Sequence, residues 1–182
     1  MQNMIVSAMF ALCLGLSAQE TGSEVRHLSA QSNQDPTAST SEVPNGYAVN
    51  ARLERLLVLR FKYNTDLKAE LERMVKQEKI QNAIILSAIG SVRNYQVHQV
   101  ENRDLPPKDS FVKDAAAPAD IIGMSGAVIH GRVHAHITLA NREKAFGGHL
   151  ESDTTVFTFA MVTLGVIADE VDLSKIDDWT YR

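Results

Sequence analysis

The stretch from Asp120 to Ile167 is strand-forming almost without interruption, and this restricts the possible folds more than any other feature. Ile121–Ile129, Val133–Leu139 and Thr154–Ile167 are rich in β-branched residues and carry no acidic or basic side chain apart from histidine. Gly123, Gly126, Gly131, Gly147, Gly148 and Gly165 punctuate the stretch as bends or bulges. Its last run reads as a buried central strand. Upstream, a β-rich run within Tyr47–Tyr63 centres on Leu57–Phe61, and Asn64-Thr65-Asp66 follows as a turn and helix N-cap. Leu67, Leu71, Met74 and Val75 then recur at helical spacing, which predicts a helix over about Thr65–Lys79 with Glu72 and Lys76 paired at i,i+4. Ala83–Leu86 reads as a short strand stopped by Gly90, and Val92–Val100 as another. Asn102–Ala119 holds Pro106, Pro107 and Pro118 and reads as a loop or edge excursion. One helix and many strands make an α+β fold: a mainly antiparallel, twisted sheet with flanking helices.

The N-terminus has a different character. Met4–Leu16 is an apolar run of signal-peptide length, followed by small and polar residues, so residues 1–19 are expected to be a signal peptide cleaved near 17–19. The mature chain is then secreted or periplasmic. The single cysteine, Cys13, would leave with the peptide, and no disulfide or cysteine-based zinc site is available. No apolar stretch reaches the roughly 18–20 residues of a membrane span. Residues 20–44, rich in Ser, Thr and Gln, are expected to be a flexible linker, and residues 45–182 the folded domain. The linker carries most of the chain's formal charge of −4, leaving the domain close to neutral. A dedicated nucleic-acid binder normally shows a basic footprint, so nucleic acid is not the expected partner.

Three of the six histidines cluster: His134 and His136 on a predicted strand, then His149 after Gly147-Gly148. Residues two apart on a strand face the same side, roughly 6.5 Å apart, close enough for two imidazoles to lean onto one ion. The intervening residues suffice to finish a strand, turn at Asn141–Lys144 and return antiparallel. Three histidines with an open fourth position are what catalytic zinc commonly shows. The same spacing is also met by exposed or merely hydrogen-bonded histidines. Arg132, Arg142 and Lys144 lie near the cluster in sequence, and Arg132 and Arg142 are candidate holders of a substrate carboxylate or phosphate. Glu151 is the nominee for a catalytic acid or base.

Over about Tyr47–Leu173 the chain resembles the PPC (plants and prokaryotes conserved) domain, DUF296, in a stand-alone bacterial form. The matching residues are Tyr63-Asn64-Thr65-Asp66-Leu67, Lys79–Ile85, Ser87–Val92, and above all His134-Ala135-His136-Ile137-Thr138-Leu139-Ala140 with Gly147-Gly148-His149-Leu150. The resemblance implies a PPC-like fold related to acetolactate decarboxylase and to a zinc-dependent ester hydrolase. It also implies a homotrimer, and zinc or a similar divalent metal held by His134, His136 and His149. Two positions depart from the family pattern: Asp153 stands where a glycine is usual, and Met161 where a glutamate is frequent.

The function expected is therefore a trimeric module binding a divalent metal, with a zinc-dependent lyase or hydrolase acting on a small carboxylate-bearing substrate as the alternative. DNA binding, the role usually attached to the family, is a third reading. Plant members pair the domain with an Arg-Gly-Arg-Pro hook, which is absent from this sequence.

Overall fold

A computed structural model describes residues 24–28 and 44–178. The signal segment and Cys13 lie outside these residues. The elements run β1 (Glu24–Leu28), β2 (Leu53–Lys62), α1 (Leu67–Gln77), β3 (Asn82–Val100), β4 (Asp109–Asp114), β5 (Ala119–Ile129), β6 (Arg132–Ala140), β7 (Ala145–Leu150) and β8 (Thr155–Ile167). All strand pairings are antiparallel.

β3 organises the sheet. Its first half lies between β5 and β8, and its second half between β4 and β7. Gly90 does not stop it. The glycine sits inside the 19-residue strand at φ +139, where a Cβ would drive into the backbone of Phe159 and Ala160. That close approach on β8 is why the position needs glycine, and the strand continues through it with a register irregularity at Gly90/Val92 instead of ending. β6 pairs with β5 on one edge and β7 on the other, and β7 returns to β3. β3, β5, β6 and β7 thus close a four-strand ring. Beyond β3, β8 and then β2 extend the sheet as a wing.

Two irregular segments of the sequence are partly strand. Within 102–119, Asp109–Asp114 is β4, paired with β3 on one side and β1 on the other. β1 itself lies within the stretch expected to be linker. The prolines flank β4 and take no place in its ladder, which is how the segment escapes the penalty for proline in a strand.

The helix begins where its cap predicts. Asp66 accepts from the Ala69 N–H at 2.9 Å, and the same carboxylate's other oxygen accepts from the Asp153 N–H. Leu67, Leu71 and Val75 are fully buried, and α1 packs against β6 and β8. The expected Glu72–Lys76 pair is not made. Lys68 reaches Glu72 instead, at 2.7 Å, and among the described residues no carboxylate pairs with Lys76. Between helix and sheet lies one main core, built on residues such as Ile137, Leu139, Leu150 and Leu164.

Candidate metal centre

In antiparallel sheets, residues in register face the same side of neighbouring strands. Phe111, His98, His149, His136 and Ser125 form one such row across β4, β3, β7, β6 and β5. His134 stands two residues before His136 and therefore on the same face. The ring closure made by β7 on β3 thus converts three predicted histidines into a cluster of four. Ring centroids lie 5.4 Å apart for His134–His136, 4.9 Å for His134–His149 and 4.5 Å for His98–His149.

One donor atom from each of His134, His136 and His149 lies within 4.8 Å of the others. His134 and His136 face each other through Nε2 at 3.3 Å. Two nitrogens bound tetrahedrally to one ion at about 2.0–2.1 Å would sit about 3.3–3.4 Å apart, so this edge already has the required length. The Asp177 carboxylate lies 2.6 Å from His134 Nδ1. A carboxylate only accepts, so Nδ1 carries the proton and Nε2 keeps its lone pair for a ligand. Burial foremost, then the neighbouring His98 and His134, push His149 down to about 4. Burial and His134 lower His136 as well. Both are neutral near pH 7, the form in which imidazole binds a metal.

Sequence reasoning offers His98 only as one of several possible fourth ligands, beside His130 or a carboxylate, and does not reach Asp177. His98 Nδ1 meets Glu151 Oε1 at 2.7 Å, and His98, His149 and Glu151 form a second set of converging donors. Glu151, just past β7, is half-buried beside the cluster and not a surface turn residue. Nothing in the local sequence of His98 marks it, because its place depends on β7 pairing with β3. Asp177 arrives on the C-terminal turns that follow Leu173, which is buried in a small cluster with Ile129 and Ile167.

The two arginines separate. Arg132 lines a cavity of about 730 Å³ that reaches His134 and His149. Arg142 does not join them. It occupies the Asn141–Lys144 turn, at the far end of β6, and borders a different cavity beside Gly90, Ala119 and Phe159. The strand that carries His134 simply runs the wrong way to bring it back.

The departures from the family pattern also find their places. Asp153 has φ +67, the left-handed conformation that explains a glycine preference, and its side chain pairs with Lys113 at 2.8 Å. Met161 lies opposite Arg60 and Ile89, and Ile89 is nine positions along β3 from His98. Within this chain the methionine removes no carboxylate from the histidines.

Fold and site together define a small antiparallel β-protein with an imidazole cluster on the outside of a closed strand ring. Residues 49–168 match the Plants and Prokaryotes Conserved (PCC) domain, and the chain belongs to that family. A 111-residue stretch, 60% of the chain, is 30% identical to the bifunctional protein GlmU of Synechococcus sp. strain JA-2-3B'a(2-13). It covers only 16% of that relative's length. Among solved structures, the metal-containing protein AF0104 from Archaeoglobus fulgidus is 24% identical with a TM-score of 0.58, over 69% of this chain and 89% of that one. A Pyrococcus horikoshii plant- and prokaryote-conserved protein is 23% identical with a TM-score of 0.56, over 70% and 89%. A Bacteroides thetaiotaomicron structure, 15% identical over 65% and 83% with a TM-score of 0.52, is named as a candidate DNA-binding protein.

Proposed function

We propose that this PCC-domain chain is a metal-binding module, holding one divalent cation of the zinc type through His134, His136 and His149. The observation that carries this is the Nε2–Nε2 edge of 3.3 Å, with Asp177 fixing the proton of His134 on its other nitrogen. Such a carboxylate–histidine pair orients a ligand and raises its basicity. That a structural neighbour is described as metal-containing supports the reading. Untagged protein should carry about one equivalent of metal per chain by elemental analysis, and His134→Ala with His136→Ala should abolish it. Unchanged metal content in that double variant would sink the assignment.

The module is proposed to be a homotrimer. Leu56, Val58, Ile84, Leu86 and Ile89 expose large apolar side chains on the wing formed by β2, β8 and β3. The register row Leu56–Gly165–Ile84–Ala127–His134 puts that surface and the metal cluster on one face. A second copy covering the apolar part would therefore lie close to the histidines. The signal-like N-terminus goes with an exported location.

A catalytic role is favoured by one feature, the His98–Glu151 pair beside His149. A bound zinc would supply Lewis acidity and a bound water of lowered pKa. Glu151 would hold His98 with its proton on Nδ1 and Nε2 free to accept. Turnover of a carboxylate-bearing substrate that disappears with a chelator and with Glu151→Gln would establish this reading over binding alone. The near-neutral domain argues against phosphate-backbone recognition. Salt-dependent retardation of duplex DNA at physiological ionic strength would reverse that conclusion.

A further inference from the structure

The cavity beside the histidines holds a set of basic groups that the metal reading does not use. Lys76, Lys79 and Arg132 line it together with His134 and His149. Among the described residues no carboxylate pairs with any of the three. The acids on the same wall are engaged elsewhere: Glu72 with Lys68 at 2.7 Å, and Asp177 with His134 at 2.6 Å.

Ordinary helix chemistry explains only one of these cations. Lys76 stands in the last turn of α1, where a basic side chain complements the helix dipole. Lys79 lies beyond the helix end at φ +54, and Arg132 opens β6 across the cavity. All three are exposed, and with no carboxylate partner among the described residues they give this concavity a positive potential that favours an anion between them at low salt. The volume of about 730 Å³ suits a metabolite and is within the usual range for small-molecule sites.

We infer that this cavity binds a small molecule bearing an oxyanion, a carboxylate or a phosphate, held by Lys76, Lys79 and Arg132 while a second oxygen donor reaches the histidine-bound cation. Only the second half of that statement rests on the metal reading. The oxyanion end is independent of it.

Isothermal titration of the untagged chain, metal-free and zinc-loaded, with malonate and with inorganic phosphate at low salt separates the two. Metal-free protein is expected to bind at least one probe with a Kd below about 1 mM, as two or three converging charge-assisted contacts allow. Lys79→Gln and Arg132→Gln should each weaken it about five- to tenfold, and Arg142→Gln should leave it unchanged. Zinc loading should tighten malonate, which offers a second carboxylate, more than phosphate. Binding weaker than about 1 mM for both probes, or equal loss in Arg142→Gln, overturns the proposal. Anion binding in a protein that takes up no metal would sink the metal reading and leave the oxyanion site standing. Metal uptake without anion binding would do the reverse.

Discussion

The ring and the wing share β3 but handle their outer faces in opposite ways. On the ring, the outward row of β3, β7 and β6 carries His98, His149 and His136, flanked by Glu151 and Asp177. On the wing, the same side of β2 and β3 carries Leu53, Leu56, Val58, Ile84, Leu86 and Ile89. The imidazoles are half-buried or, at His136, exposed and meet one another and two carboxylates, whereas the exposed apolar area of the wing calls only for something to cover it. Under the proposed function, one end of the sheet would hold a specific ligand and the other a broad contact, while a common core beneath supports both.

Four experiments test that division, from the largest expected effect to the smallest. His134→Ala with His136→Ala should lower cation affinity by more than about a thousandfold, since two of the three proposed ligands go. Thermal unfolding of the metal-free form should barely change, and a large drop there would mean that the ring depends on its histidines for folding. Leu71→Ala, under the sheet, should do the opposite. It should cost about 2–5 kcal/mol in chemical denaturation, because its side chain is fully buried, and leave metal stoichiometry intact.

Asp177→Asn should reduce metal affinity about 10- to 100-fold, the usual effect of losing a carboxylate that orients a ligand histidine. Competition with a zinc-responsive dye would read it, and an unchanged affinity would show that the tail is only packed against the site. The smallest effect is on pH dependence. His149 is held at about 4 when folded, against an ordinary value of 6.5. Above pH 6.5 it is neutral in both states and adds no pH dependence. As pH falls from 6.5 toward 4 the unfolded chain takes up a proton that the folded one refuses, so stability declines across that window. Metal-free protein should melt lower at pH 4.5 than at pH 7, with a shallower slope in His149→Gln.

Much of this division is legible in the sequence wherever the cause is local. The Asp66 cap, the Leu67–Leu71–Val75 stripe, the Asn141–Lys144 turn and the shared face of His134 and His136 depend on neighbours within a few residues, and the structure has them. His98 and Asp177 depend on contacts across 51 and 43 positions of sequence, from β3 to β7 and from the tail to β6. No periodicity encodes those. Gly90 misled for a related reason: a glycine ends a strand or carries it on according to what passes beside it, and here that is β8. Arg142 is near His136 in number only, since a strand carries sequence neighbours steadily away from each other.

The C-terminal turns have a practical corollary for anyone trimming the chain. The family match ends at residue 168, and a protein cut there keeps every strand and all four clustered imidazoles. It would still discard Asp177, the acid that sets the tautomer of His134. Two preparations with the same β-strands could then disagree on how tightly they hold a cation, and the discrepancy would trace to where the gene was truncated.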